Sequence, residues 1–220
     1  SYGKRMQLEF DDGSRWFELS VAKQKTIDHD LPGFVVLSRD ITERVEAEER
    51  IHYHALNYAL TPFPKQALLF ELIKKAVLIA RREQGLLCLI YLDLDTFKPV
   101  NDTFGHAVGD LLLQEVANRL QRSIRDSDTV ARMGGDEFVI LLPKIRAVED
   151  ALFVANKVGA ALRAPYLIEG HELKISASCG LCHFPDHGDD IDTLLMHADK
   201  AMYAAKAQGR DTVATYQPES

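Results

Sequence analysis

Seven residues, Leu86-Leu87-Cys88-Leu89-Ile90-Tyr91-Leu92, form a nearly unbroken apolar run that ends in Asp93-Leu94-Asp95. A run without polar alternation suits a strand covered on both faces, so the chain must supply helices above and below it. A second segment, Val130 to Leu142, reads as a hairpin broken by Gly134-Gly135-Asp136-Glu137 before Phe138 resumes the apolar pattern. Carboxylates at the ends of adjacent strands can share hard cations such as magnesium, which keep some waters and bind phosphate oxygens as well. The glycine pair has no side chains and tolerates positive φ, so its amides can come close to an anion. Taken singly, Gly-Gly-Asp is common turn chemistry and an Asp at a strand end is ordinarily a solvated cap. Together they outline a geometry for phosphoryl transfer.

The covering helices are legible. Lys65 to Arg82 carries Leu68, Leu72, Ala76 and Ile79 at helical spacing. Leu111, Leu112, Val116, Leu120 and Ile124 line a second helix, and Val148, Ala151, Leu152, Ala155, Val158 and Leu162 a third. Asp190 to Lys206 is the last long helix, and Thr212 to Tyr216 a closing strand. Helices alternating with apolar runs give an α+β or α/β-like domain with a central sheet. The first forty residues differ. They alternate around Met6–Phe10, Arg15–Ala22 and Gly33–Leu37, with turns at Asp11-Asp12-Gly13 and Asp28–Gly33, and predict an antiparallel meander. From Asp40, placed as a cap, Ile41 to Ile51 is rich in helix formers and predicts a connecting helix.

The chain has 220 residues, room for one ordinary domain and a smaller neighbour. Its net charge of -7 leaves no broad basic footprint, so no nucleic-acid partner is expected, and a phosphate ligand must find local cations. No run reaches the roughly 18 apolar residues that cross a bilayer, so the segment is expected to be cytoplasmic and without membrane contact. Cys88, Cys179 and Cys182 are too few for a disulfide scaffold. Cys179-Gly180-Leu181-Cys182-His183 matches a covalent haem motif, and His187 nearby suggests zinc. However, Leu173, Ile175, Ala177, Cys179 and Leu181 alternate as a strand, which sends Cys179 and Cys182 to opposite faces. Buried small hydrophobes are the better reading.

Leu92-Asp93-Leu94-Asp95-Thr96-Phe97-Lys98, Asn101-Asp102-Thr103-Phe104-Gly105-His106, Gly109-Asp110, Ala131-Arg132-Met133-Gly134-Gly135-Asp136-Glu137-Phe138 and Ala205-Lys206-Ala207-Gln208-Gly209-Arg210 follow one another in this order. The set resembles the GGDEF, or diguanylate cyclase, family over residues 59–216. The resemblance implies a nucleotide cyclase-like palm fold with a mostly antiparallel sheet flanked by helices. It implies an enzyme that joins two GTP into cyclic di-GMP, a bacterial second messenger, and releases two pyrophosphates. By the same resemblance Asp93, Asp136 and the Leu94 carbonyl bind Mg2+ or Mn2+, with Glu137 as ligand or proton acceptor. Asn101 and Asp110 read the guanine edge, Lys98, Lys206 and Arg210 hold the triphosphate, and Phe97, Gly134 and Gly135 complete the substrate site. Each domain holds one GTP, so catalysis requires a homodimer. Arg125-Asp126-Ser127-Asp128 stands where the family carries an inhibitory R-x-x-D site for cyclic di-GMP; otherwise it is a helix end followed by a capped loop.

The segment 1–41 resembles the C-terminal part of a PAS sensor domain, through Asp12-Gly13-Ser14-Arg15-Trp16-Phe17-Glu18-Leu19-Ser20, Gly33-Phe34-Val35-Val36-Leu37 and Asp40-Ile41-Thr42-Glu43-Arg44, with 42–58 as a linker helix. The family's opening motif is altered here. Tyr58 replaces an acid, Pro62 a glycine and Lys65-Gln66 an Asn-Arg pair, while Leu60 and Thr61 remain. The resemblance thus admits a second reading, a regulatory module that binds GTP or cyclic di-GMP without turnover. The tail 217–220, with Tyr216 before it, resembles the start of a connection to an EAL phosphodiesterase domain.

Overall fold

The alternation of the first forty residues folds as a three-stranded antiparallel meander of β1 (Lys4–Phe10), β2 (Gly13–Gln24) and β3 (Gly33–Asp40), with Met6 opposite Phe17 and Leu19 opposite Ser38. The computed structural model describes residues 4–11, 13–24, 33–47, 60–61 and 63–218, in two compact units, Ser1–Ala55 and Leu56–Ser220. Asp40 caps the turn into the helical residues 42–47: the Thr42 amide and hydroxyl both donate to its Oδ1, at 2.9 and 2.7 Å. Ile41 N–H donates to the Trp16 carbonyl at 2.8 Å, and Trp16 N–H to Thr42 Oγ1 at 2.9 Å, pinning that turn to the sheet. Burial departs from the expected pattern. Phe34, Val35, Val36 and Leu37 are all exposed, because a single sheet covers neither of its own faces. The turn residue Asp12, the connection over residues 28–32, the helix beyond Ala47, and Tyr58, Ala59 and Pro62 lie outside the described residues.

In the second unit the uninterrupted apolar run becomes β4 (Leu86–Asp95), the middle strand of a five-stranded sheet. The sheet order is β10-β9-β4-β6-β5, where β5 is Thr129–Gly134, β6 Glu137–Ile145, β9 Ser176–Phe184 and β10 Val213–Thr215. Only β9 and β10 pair in parallel, as a mostly antiparallel sheet requires. Helices α1 (Gln66–Glu83) and α5 (Ile191–Ala207) cover one face, where Leu69, Ile73, Leu194 and Ala198 meet Leu87, Leu89, Val139 and Leu141. Helices α3 (His106–Ser123) and α4 (Val148–Arg163) cover the other, where Leu112, Val116, Leu120 and Val158 meet Cys88, Ile90, Leu92 and Ile140. This two-sided burial is why the β4 sequence shows no alternation.

Several local expectations shift. The buried stripe of α1 is Leu69, Ile73, Ala76, Val77 and Ala80, one position on from the expected Leu68 and Leu72, and Ile79 faces solvent. Leu111 is likewise exposed, and α3 buries Val108, Leu113 and Ala117 instead. In helices rich in Leu and Ala on several sides, composition leaves the stripe free to rotate by a residue. A short helix, α2 (Phe97–Phe104), precedes α3, and Leu173 belongs to a small hairpin of β7 (Tyr166–Ile168) and β8 (His171–Leu173) ahead of β9. Cys179 and Cys182 do fall on opposite faces and are free and buried; burial pushes each thiol up to about 12. Among the described residues no three histidine, cysteine or acidic side chains form a ready metal cluster.

Candidate functional site

The antiparallel register of the two central strands decides which acids meet. Asp93 lies opposite Glu137 on β6 and opposite Ser178 on β9. Leu94 N–H donates to the Asp136 carbonyl at 3.2 Å, which draws the hairpin turn against the end of β4. Gly135 at φ 49° and Gly134 at φ 158° make that turn in a backbone region costly for other residues. The buried Arg132 clamps it from β5, donating to the Gly135 carbonyl from Nε at 3.0 Å and Nη2 at 2.6 Å. Tyr91, two residues before Asp93 and so on the same face, donates its hydroxyl to Glu137 Oε2 at 3.1 Å.

One cation enters this acidic corner. Lys206, in the last turn of α5, places Nζ 2.8 Å from Asp93 Oδ2. Helix α5 can lie this close because of Gly180 on β9: a Cβ there would stand 2.0 Å from the Met202 nitrogen and 2.2 Å from the Ala198 carbonyl oxygen. Burial raises the pKa of Asp93, Lys206 opposes that shift, and Asp136 and Glu137 add to it. Burial therefore outweighs the single ammonium beside Asp93, and the two other carboxylates add to it. A divalent cation relieves such crowding. Asp93, Asp136, Glu137 and the Leu94 carbonyl are the oxygens here that could hold a hard divalent cation, although among the described residues no three-ligand cage is preformed.

The predicted guanine-reading residues come together on α2 and α3. A Cβ on Gly109 would fall 1.8 Å from Asn101 Oδ1, so the Asn101 amide rests on the bare backbone of α3 beside Asp110. Thr96 at φ 66° turns β4 into α2, and Gly105 at φ 84° turns α2 into α3. Phe97 is buried in the core, whereas Lys98, Asp110 and Arg210 are exposed. The structure thus unites Asp93, Leu94, Asp136, Glu137 and Lys206, and separately Asn101 with Gly109-Asp110. Arg125 and Asp128 stand apart, before the other end of β5. There the Asp128 amide donates to the Arg125 carbonyl at 3.0 Å and Asp128 Oδ2 accepts the Arg125 amide at 3.1 Å, leaving the Arg125 side chain exposed. Sequence reasoning did not single out Tyr91, and it quoted Arg132 and Gly109 within the motifs without giving either a role. Period-two alternation could have found Tyr91, but nothing local marks Gly109 as a packing surface.

Residues 58–212 match the family described as diguanylate cyclase, GGDEF domain. The chain belongs to the GGDEF family. It is 42% identical over 170 residues to the bifunctional diguanylate cyclase/cyclic di-GMP phosphodiesterase MucR of Pseudomonas aeruginosa, covering 77% of this chain and 25% of that protein. It is 33% identical over 207 residues to the diguanylate cyclase TpbB of the same organism, covering 93% of this chain and 48% of TpbB. The crystal structure of the TpbB GGDEF domain superposes with a TM-score of 0.70 at 35% identity, over 71% of this chain and 98% of that domain. The chain thus spans a quarter of MucR and about half of TpbB. Its second unit has the GGDEF cyclase-like fold, and no helix among the described residues is long and apolar enough to cross a membrane.

Proposed function

We propose that this chain is a diguanylate cyclase that joins two GTP into cyclic di-GMP and two pyrophosphates across a homodimer, under the control of a sensor. The observation that carries this reading is the in-register meeting of Asp93 with Glu137, beside the Asp136 turn and with Lys206 on Asp93. In this reading 1–41 is the C-terminal part of a PAS domain, 42–58 the linker helix and 59–216 the output domain. The Asn101 amide can donate to the guanine edge and the Asp110 carboxylate accept from it, a pairing that discriminates against adenine. Lys206 exchanges Asp93 for a phosphate oxygen when nucleotide arrives, and Lys98 and Arg210 take further phosphate charge. Asp93, Asp136 and the Leu94 carbonyl would hold Mg2+ or Mn2+, with Glu137 beside them as ligand or proton acceptor, and the ion would neutralise charge at the α-phosphate and lower the pKa of the attacking hydroxyl.

Each 3′-oxygen forms a bond to the α-phosphorus of the nucleotide on the facing domain, as the bond from that phosphorus to the bridging oxygen breaks. Pyrophosphate leaves with the electron pair. Glu137, its Oε2 engaged by Tyr91, has its other oxygen to accept the hydroxyl proton. Alignment of two half-sites supplies most of the acceleration, because neither domain holds both reacting groups. Arg125 and Asp128 form the site for cyclic di-GMP as feedback inhibitor.

The altered opening motif favours a second reading, a module that senses GTP or cyclic di-GMP. Its described residues touch the active hairpin: Arg132 N–H donates to the Pro64 carbonyl at 3.3 Å, and Phe63 packs edge-on to Phe138 at 6.1 Å. Incubation with GTP and Mg2+ separates the two. Cyclic di-GMP and pyrophosphate in a one-to-two ratio support the cyclase, whereas bound GTP recovered unchanged supports the sensor.

A further inference from the structure

Two residues beyond Asp93, Asp95 has surroundings that metal binding does not explain. It is 3% exposed and its carboxylate is fully engaged: Oδ1 accepts from Ser178 Oγ at 2.8 Å, and Oδ2 from Ser176 Oγ at 2.7 Å and the Asp211 amide at 3.0 Å. The third bond reaches across the fold to the loop that follows α5. That loop leaves the helix through Gly209, Arg210 and Asp211 at φ 113°, 64° and 51°, three successive left-handed residues, two of them not glycine. Such a backbone persists only where contacts over-determine it. The Asp211 side chain supplies a second hold, accepting from Arg163 Nε at 2.8 Å and Nη2 at 2.8 Å. Arg210 directly precedes this doubly held residue, its amide donating to the Ala205 carbonyl at 3.3 Å on the same final turn that carries Lys206.

We infer that Asp95 and the Arg163–Asp211 pair are positioning residues for the triphosphate, holding the Gly209–Asp211 loop in the strained form that presents Arg210, next to Lys206 on the last turn of α5, to the nucleotide. The inference rests on the cyclase reading but assigns residues outside the family's nucleotide and metal set. It explains why an acid so near the metal-binding end of β4 turns inward. A buried carboxylate with three donors is a rigid anchor, and a backbone amide bound to a charged acceptor is harder to release than one bound to water.

The test compares two ligands with the whole chain in Mg2+: α,β-methylene-GTP, which carries a triphosphate but cannot release pyrophosphate, and GMP, which lacks the β- and γ-phosphates. Asp95→Asn should weaken the triphosphate analogue about tenfold while leaving GMP within about twofold, because guanine contacts on α2 and α3 are untouched. Arg163→Ala and Asp211→Asn, which alter only the exposed outer hold, should move the same ratio by about threefold, and they decide the matter if Asp95→Asn does not fold. Equal weakening of both ligands reduces Asp95 to a structural role, and an unchanged ratio in folded variants overturns the inference. Wild-type chain that binds neither ligand sinks the cyclase reading itself, a distinct result.

Discussion

Asp93 and Asp95 occupy one strand, two residues apart, yet their surroundings are opposites. Around the Asp93–Lys206 pair two further carboxylates crowd in, and burial makes the Asp93 charge harder to hold. Around Asp95, two serine hydroxyls and an amide satisfy the carboxylate, with no cation paired to it among the described residues. Sequence alone cannot rank these two acids, because the difference lies in what β6, β9 and the loop after α5 bring alongside. The contrast teaches that a frustrated acid marks where a ligand is to arrive, and a satisfied one marks what keeps the site in shape.

The largest effect that can break the contrast comes from the frustrated side. Asp136→Ala removes a carboxylate that the cyclase reading assigns to the metal, and no core volume, so cyclic di-GMP formation should fall by about a thousandfold or more while Tm stays within a few degrees. Product formation by that variant at the wild-type rate would remove Asp136 from the reaction. Next in size is Gly109→Ala. Its methyl lands on Asn101 Oδ1, the end of a flexible side chain, so the fold survives but the amide must swing away. The value of kcat/KM for GTP should drop about ten- to a hundredfold and discrimination against ATP should narrow. A steady-state comparison of the two nucleotides shows whether the narrowing occurs.

Stability gives the sharper comparison. Asp95→Asn puts an amide where three donors converge and should cost about 2–3 kcal/mol in urea unfolding. Asp93→Asn should do the reverse. An acid whose pKa is raised in the fold lends stability below its ordinary value near 4 and loses it as pH rises through the raised value. At pH 7 the ionised Asp93 is therefore a burden. Its replacement should raise Tm by about a few degrees, a gain that shrinks below about pH 4. If both variants destabilise alike, the two acids are not different in kind.

How much of this was legible in sequence follows from range. The central strand, the Gly134-Gly135 turn and the covering helices were readable because each rests on local pattern, and the motif order alone placed Asp93, Asp136 and Glu137 together. The rotation of α1 by one residue was not readable, since Leu68 and Leu69 are equally apolar and only the sheet beneath decides between them. Nor were the Asp95 cage and the Asn101–Gly109 contact. The cage joins residues 81, 83 and 116 positions apart, and the contact shows only once two helices turn at Gly105.

The smallest effect provides a control far from the nucleotide. At the other end of β9, His183 lies opposite Cys88, its ring 3.9 Å from that of His187, with Asp186 Oδ2 at 3.4 Å from Nδ1. His197, whose ring stacks on Tyr216 at 3.8 Å, brings its Nδ1 to 2.7 Å from the His187 carbonyl oxygen. Burial lowers the pKa of both His183 and His187, and for His187 the neighbouring histidines add to the effect while Asp186 opposes it. A base depressed in the fold leaves the unfolded chain holding more protons below about pH 6.5, so stability is complete above that value and lost as pH falls through the folded pKa values. The double variant His183→Asn/His187→Asn should flatten the decline in Tm between about pH 6.5 and 5 and leave cyclic di-GMP production at pH 7.5 unchanged within about twofold. Here too is an electrostatic mismatch, but one that no oxygen-rich ligand would relieve. If removing it altered turnover as strongly as Asp136→Ala, local frustration would cease to distinguish the nucleotide end of the sheet from the rest.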